Sequence, residues 1–392
     1  MNKAPILMAM LIISTGQVGV SIYLPSLPMI STALQVSQSD VQLLVTLFLL
    51  GFGGSQLFYG PLSDAIGRRP VFLLGQGIYL VGTVICILYT HNLWFLVFGR
   101  LLQGLGAGSA SVLGRSVLRD CYDGHQLTKA LSYVSVTASI MPVLAPVVGG
   151  WVAFYYGWEA VFIFVLAFLV ATFVLGYCLL SETMRYERTE FDIRKVVTNY
   201  AQIIKNKQVL SSASYNWITY LACVVSLSVM PFILQHELGL TAAQYGVVMV
   251  IPSAGLLVGT LALNVLTRYL SSQKILVMSV GIIVLSGLWL LAYDLTVFNI
   301  IWAFTWMVVA QGLSFPLSIA MLLAPHKRQA GAVSALTGAI QMCLAGLLGG
   351  YMVETWIQSS AALGIFYLFC ASVMAMVLYV NRVQPLARRE FA

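Results

Sequence analysis

The chain has 392 residues, 60% of them hydrophobic and only 8% charged, with a mean hydropathy of +0.91. A soluble domain carries about 25% charged residues, so this composition argues against a soluble fold. The net charge of +7 is placed in a way that points to membrane orientation and away from a nucleic-acid partner.

After Met1-Asn2-Lys3 the chain runs without a charge to Asp40. That run is too long for a signal-peptide core and lacks a clear cleavage site, so it reads as a first membrane span. A helix crosses hydrocarbon in roughly 20 residues. Twelve stretches of that kind follow one another, at 5–26, 41–61, 71–90, 93–116, 130–153, 158–180, 209–234, 242–266, 274–293, 297–322, 331–353 and 358–380. They are expected to be helices: backbone groups in lipid must be satisfied internally, and the runs lack the alternation of barrel strands. The six cysteines are scattered singly, without metal-ligand spacing, and read as small apolar packing residues.

With the amino terminus in the cytoplasm, 19 of the 20 Lys and Arg fall on the inner side. They are Lys3, Arg68, Arg69, Arg115, Arg119, Lys129, six in the segment 181–207, Arg268, Lys274, Lys327, Arg328, Arg382, Arg388 and Arg389. The twentieth, Arg100, lies inside span 4. This bias predicts an all-α membrane protein of twelve transmembrane helices with both termini cytoplasmic. Two six-helix bundles are expected, at 1–180 and 208–392 with a short tail, joined by a cytoplasmic linker at 181–207. In the linker, Phe191, Val196, Val197, Tyr200, Ile203 and Ile204 have helical apolar spacing among basic residues. They suggest a helix on the inner leaflet; a plain solvated linker is the alternative.

The charges that stand out lie between spans 2 and 3, in Gly60-Pro61-Leu62-Ser63-Asp64-Ala65-Ile66-Gly67-Arg68-Arg69-Pro70. Gly60 and Gly67 permit a tight turn and close helix approach. Asp64 is placed to accept hydrogen bonds from a neighbouring helix N-terminus. Arg68 and Arg69 are placed to grip acids or helix carbonyls across an interface, forming a latch that opens when two bundles rock. An ordinary positive-inside loop is the alternative. The spacing resembles G-x-L-[SA]-D-x-x-G-R-[RK], a loop signature of the major facilitator superfamily. Arg100-Leu101-Leu102-Gln103-Gly104-Leu105-Gly106-Ala107 resembles that superfamily's span-4 motif R-x-x-Q-G-x-G-A. Pro142 to Gly150 is similar to the helix-5 motif of its antiporters, G-P-x-x-G-G, with Pro142, Pro146, Gly149 and Gly150 retained and alanine before the second proline. Taken together, the matches resemble the Bcr/CflA subgroup of drug–proton antiporters, with EmrD-type multidrug transporters nearest. They lie within 17–160. The second half agrees mainly in span count, and its corresponding loop keeps Arg268 and Lys274 without an acid.

The resemblance implies alternating access. Two halves, each of inverted three-helix repeats, would rock about a site near the midplane. Spans 1, 4, 7 and 10 would line that cavity. The candidate substrate contacts there are Gln17, Ser21 and Tyr23 in span 1, Arg100, Gln103 and Ser109 in span 4, Asn216, Trp217 and Tyr220 in span 7, and Trp302, Trp306 and Gln311 in span 10. Gln56, Tyr133, Asn264 and Gln341 add to the set from spans 2, 5, 8 and 11. Polar groups at membrane depth tend to face interior surfaces, but helix–helix bonding explains each amide equally well, and aromatics also serve as packing or interface belts. Arg100 does not titrate usefully; it either pins span 4 by bonding helix carbonyls or takes part in substrate binding or proton coupling.

None of the 13 acids lies at the middle of a span. Many relatives in the resembled subgroup carry Asp-Met-Tyr-Leu-Pro in span 1, where this chain has Ser21-Ile22-Tyr23-Leu24-Pro25. Three options follow: protons handled near a span end, with Asp64, Asp120, Asp123 and Glu237 as candidates; a titrating substrate; or uncoupled transport. The four histidines lie at loops or span ends.

The favoured reading is a secondary multidrug exporter of a bacterial inner membrane. Its expected partners are small amphipathic or lipophilic substrates, protons and membrane lipids, and it is expected to work as a monomer with no cofactor and no metal. A narrower carrier of a metabolite, sugar or lysolipid is the alternative. A non-transporting receptor or scaffold is disfavoured because the chain has no sizeable soluble segment. An enzyme is not expected: no G-x-x-x-x-G-K-[ST], metal cluster or triad pattern occurs.

Overall fold

A computed structural model describes residues 4–184 and 191–383, and all its regular structure is helical. Lys3, Arg185, Glu187, Arg188, Glu190, Arg388, Arg389 and Glu390 lie outside the described residues, as do the flanking positions of the three terminal and linker segments. Twelve helices are long and apolar enough to cross a membrane, running Ala4–Leu34, Gln38–Ile66, Arg68–Leu88, Leu93–Cys121, Gly124–Tyr156, Glu159–Leu179, Lys207–Glu237, Ala242–Leu266, Ser272–Ala292, Val297–His326, Ala330–Thr355 and Ser360–Asn381. They are spans 1 to 12. A separate linker helix, Ile193–Ile204, joins the two sets of six.

Each expected stretch is found, but most helices outrun it. Span 2 continues through Pro61 to Ile66, so the turn expected within Gly60–Pro70 narrows to one residue, Gly67, with φ +108°. Hydropathy marks only the part of a helix that lies in hydrocarbon. Helical hydrogen bonding continues past that boundary wherever nothing interrupts it.

Proline does interrupt it. Span 1 breaks at 22–26, around Pro25, and span 8 breaks at Met249, before Pro252. A proline has no N–H, so the carbonyl four residues earlier loses its helical donor. In span 2, Pro61 leaves the Leu57 carbonyl open, and the Tyr200 hydroxyl of the linker helix donates to it at 3.0 Å. In span 10, Pro316 leaves the Gly312 carbonyl open, and the Thr260 hydroxyl of span 8 lies 3.4 Å away.

Spans 1–6 pack mainly on one another, as do spans 7–12. The sets meet mainly along two helix pairs, span 2 with span 11 and span 5 with span 8. Glycine makes both contacts close. A Cβ on Gly53 would lie 2.8 Å from the Ala339 carbonyl, and one on Gly246 would lie 2.6 Å from the Pro146 carbonyl. Twelve spans put both chain ends and the linker at one face of the bundle. At the opposite, far face the seam is shut: Gln42 Nε2 donates to Ser228 Oγ at 3.0 Å, and Gln235 Nε2 to the Pro25 carbonyl at 3.0 Å. Toward the linker face, span 5 packs against span 1. There its buried side chains Ala130 and Val134 pack on Ile6, Ala9 and Ile13 of span 1, while Ser132, Tyr133, Ser135, Val136, Ser139 and Ile140 are exposed.

The alternation of faces is directly testable. In a background without native thiols, His91→Cys and Thr198→Cys both lie at exposed positions, at the far and linker faces respectively. An impermeant maleimide added to intact cells is expected to label His91→Cys and to reach Thr198→Cys only after the membrane is broken. Labelling of both from the same side refutes the helix count.

Candidate functional site: the seam cluster and the linker-face latch

Two polar constellations stand out in this apolar molecule. The first is a seam cluster where spans 2, 7 and 11 meet. Asn216 Nδ2 donates to Gln341 Oε1 at 2.9 Å, and both residues are buried. One turn either side, Trp217 Nε1 donates to the Thr337 carbonyl at 3.0 Å and the Tyr220 hydroxyl to Met342 Sδ at 3.2 Å. From the other half, Gln56 points at Gly338, where a Cβ would come within 3.2 Å of its Oε1. Asn216 Oδ1 is buried with no hydrogen-bond partner. Between this cluster and the Gln42–Ser228 contact, Val45, Leu49, Val224 and Ala345 belong to one apolar cluster that closes the seam toward the far face. The cluster is therefore a mildly polar, aromatic-edged patch without a formal charge, placed where the halves meet.

The other expected site residues are distributed differently. Gln17 is half-buried on span 1. Ser21 and Tyr23 are buried where span 1 breaks, and the Tyr23 ring packs on Phe162 at 4.5 Å between centroids. Gln311 is buried in span 10 with its Oε1 unpartnered, and Ser109 donates to the Gly106 carbonyl. Tyr133 and Asn264 are exposed. Trp302 and Trp306 are exposed on the face of span 10 opposite Ile300, Phe304 and Met307, and Trp302 also meets Trp289 of span 9. The geometry thus brings Gln56, Asn216, Trp217, Tyr220 and Gln341 together and leaves Tyr133, Asn264, Trp302 and Trp306 apart.

Arg100 is not at the seam. It is only 2% exposed, inside the first set of six spans. Its guanidinium donates to the Leu44 carbonyl (3.1 Å), to Gln103 Oε1 (2.8 Å) and to the Gly19 carbonyl (3.1 Å), and lies 4.4 and 4.2 Å from the Tyr23 and Phe48 ring centroids. Gln103 passes the chain of bonds on to Thr83 at 2.9 Å. Gly19 lies in the last turn before the break in span 1, so Arg100 supplies a donor where that helix loses its own. Of the two roles open to Arg100, this geometry matches the pin of span 4 against spans 1 and 2.

The second constellation is the latch at the linker face. Arg68 is buried and binds two acids at once, Asp64 at 2.5 Å and Asp120 at 2.9 Å, and also donates to Ser63 Oγ at 2.6 Å. Arg69 donates to the Tyr177 carbonyl at 2.8 Å and stacks over the Tyr177 ring. Every one of these partners belongs to spans 2, 4 or 6. Among the described residues the arginines grip within one half, tying the ends of its helices together, and do not reach the other half.

Asp64 was the acid expected to cap a neighbouring helix; Glu182 does so instead. Its carboxylate accepts from the backbone N–H groups of Arg68 at 3.0 Å and Arg69 at 3.3 Å, the first two residues of span 3, and from Thr183 and Met184. The third residue, Pro70, has no N–H to satisfy. Burial raises the Glu182 pKa, but these four N–H groups outweigh it and hold the carboxyl below the ordinary carboxylate range. Gly67 leaves room for this cap, since a Cβ there would come within 2.9 Å of the Glu182 carboxyl carbon. Nothing in the sequence links Glu182 to Arg68, 114 residues away; its one visible signal is that it is the first acid after span 6. Asp123, preceding span 5, and Glu237, ending span 7, are both exposed. Gly60 lies open toward Val112. Of the helix-5 motif, Gly149 fits under the Ile22 carbonyl and Gly150 under that of Ala242, so the pair seats span 5 on spans 1 and 8 together; Pro146 offers its carbonyl to Gly246.

A fold of twelve spanning helices, packed as two sixes across a glycine-lined seam, with a capped latch at one face, is that of a polytopic membrane carrier and not of an enzyme. The chain belongs to the major facilitator superfamily, whose sequence profile matches residues 9–350. Multidrug resistance protein MdtL of Salmonella heidelberg (strain SL476) is 26% identical over 349 residues, which cover 88% of this chain and 85% of that protein. MdtL of Salmonella typhimurium (strain LT2) matches over the same shares at the same identity. In fold, the chain is similar to crystal structures of a mutant of the nucleoside transporter NupG, with a TM-score of 0.74, and of the POT family transporter PepTSo, with a TM-score of 0.77. Each is 13% identical and covers at least 97% of this chain and 99% of its own.

The two acids on Arg68 are not equivalent. The Asp120 side chain is 5% exposed and that of Asp64 is 53% exposed. Asp120→Ala leaves the buried Arg68 Nε without its carboxylate and is expected to lower stability by about 3 kcal/mol, whereas Asp64→Ala is expected to cost under about 1 kcal/mol. Thermal unfolding in detergent checks the order. The lowered Glu182 pKa carries a sign as well: its stabilisation is present above the ordinary carboxylate range and is lost as pH falls through the lower folded value. Glu182→Gln is therefore expected to weaken the fall of the unfolding midpoint on acidification below about pH 4.

Proposed function

We propose that this protein is a secondary exporter of small amphipathic drugs across a bacterial inner membrane, working by alternating access. The observation that carries the reading is the uncharged amide and aromatic cluster at the seam, beside glycine-mediated contacts that two halves can break and remake. Amides fix neutral donors and acceptors, while indole, phenol and thioether surfaces tolerate many shapes. The MdtL relatives bear multidrug resistance in their names, which supports the same substrate class here.

In this proposal the linker face is cytoplasmic, as the basic residues require. The far-face contacts Gln42–Ser228 and Gln235–Pro25 then close the outside, and access is from the linker face. The halves at 1–180 and 208–392 rock as units, and one chain suffices. The latch keeps the first half rigid while it rocks: Arg68 and Arg69 bind only helices that move together. Proton exchange is part of the reading, handled at a span end. Asp64 is the acid best placed, since it is water-exposed and its protonation takes one of two carboxylates from Arg68. Asp120, Asp123 and Glu237 are the remaining candidates.

Cells expressing the chain are expected to resist several neutral or weakly charged amphipaths, and to lose that resistance when a protonophore is added. No change in any drug's potency with expression refutes export. The seam cluster has no carboxylate to pair with cations, so a permanent dication is expected to leave more slowly than its monocation analogue; equal rates count against the assigned site. In proteoliposomes given a pH jump, neutralising one of the four acids is expected to uncouple export. If all four variants remain coupled, protons enter elsewhere.

A further inference from the structure

The linker helix Ile193–Ile204 has one broad apolar face, and the protein covers only part of it. On the covered part, Ile203 is buried among Val209, Leu322, Val333 and Leu336, and the Tyr200 hydroxyl holds the Leu57 carbonyl. On the uncovered part of that face Ile193, Val197 and Ile204 are 53%, 59% and 43% exposed. At 3.6 residues per turn these three fall within about 40° of one another. Phe191, just before the helix, is exposed as well. Arg194 and Lys205 are exposed along one edge of this stripe, and Lys195 lies farther round the helix, 3.7 Å from Asp192. Asp192 is also the N-cap, accepting from the backbone of Arg194 and Lys195. A helix of twelve residues is marginal without packing, and an apolar stripe left in water would weaken it further.

We propose that this uncovered part of the face docks on anionic lipid in the leaflet at the linker face, with Ile193, Val197 and Ile204 entering the acyl–headgroup boundary and Arg194 and Lys205 meeting the headgroup charge. Two features select lipid as the occupant. The helix rides beside spans 2, 7 and 11, so the acyl boundary of the surrounding bilayer is within its reach. The charge on the edge of the stripe is cationic, and an apolar stripe bordered by Arg and Lys is the pattern that binds anionic membranes. The consequence runs through Tyr200. Lipid that fixes the helix also fixes the donor on the carbonyl opened by Pro61, in the span that carries the seam contact with span 11. Docking does not depend on what the protein carries.

Amide hydrogen exchange of the full chain in nanodiscs tests this, read on a peptide covering 191–206. Discs of phosphatidylcholine are compared with discs in which part of it is replaced by phosphatidylglycerol. Exchange is expected to be about tenfold slower with phosphatidylglycerol. Arg194→Gln with Lys205→Gln is expected to abolish that difference, and Ile193→Ser with Val197→Ser to speed exchange in both discs. These positions avoid Tyr200 and Ile203, and an unchanged unfolding midpoint confirms that the fold is intact. Free glycerol phosphate added to phosphatidylcholine discs is expected to give no protection; protection by it would show that a soluble anion suffices and would overturn lipid docking. Equal exchange of the unmodified chain in both discs overturns it too, as does a difference that survives the Arg194→Gln and Lys205→Gln changes.

Discussion

Hydrocarbon offers the backbone no water, so each carbonyl and amide at membrane depth needs a partner within the protein. That constraint makes the chain helical, and it also decides where its few polar side chains go. Each break in a helix leaves groups open, and particular side chains fill them. Tyr200 serves the carbonyl opened by Pro61, Arg100 serves Gly19 at the break in span 1, and Glu182 serves the first amides of span 3. Residues that look like isolated oddities in a greasy sequence become, in three dimensions, the repairs that let the helices bend and end.

The seam depends on a second constraint, close approach. Where the two halves meet, glycine replaces the side chains that would hold the helices apart, so backbone carbonyls of one half lie against bare Cα atoms of the other. Such contacts contribute little directionality. Dispersion over a smooth surface holds the halves together without interlocking them, whereas the Arg68 cluster inside one half is directional and charged. Stiff halves and a smooth boundary suit a device that moves as two bodies.

Much of this was legible in the sequence. The spans are visible because a charged residue in hydrocarbon is costly, which leaves apolar runs between charged clusters. The latch motif is visible because charge is scarce and the spacing of Gly67, Arg68 and Arg69 is distinctive. Span ends were less legible, as residues 62–66 illustrate: polar residues past the membrane boundary can still be helical. The site was partly legible. Asn216, Trp217 and Gln341 stood out as polar groups in apolar spans, but Tyr133 and Trp306 stood out for the same reason and lie elsewhere. Hydropathy gives a residue's depth and says nothing of the direction in which it points.

The sequence by itself determined the number of helices and their alternation across the bilayer, because those follow from local chemistry: transfer cost and charge placement. Only the tertiary structure decided which carboxylate caps span 3, that Arg68 binds within one half, that Arg100 is a buried pin and that Tyr200 reaches Leu57. The pairings Arg68–Asp120, Arg100–Gly19, Arg68–Glu182 and Tyr200–Leu57 join residues separated by 52 to 143 positions. They are fixed by how helices pack against one another, which no local pattern in the chain encodes.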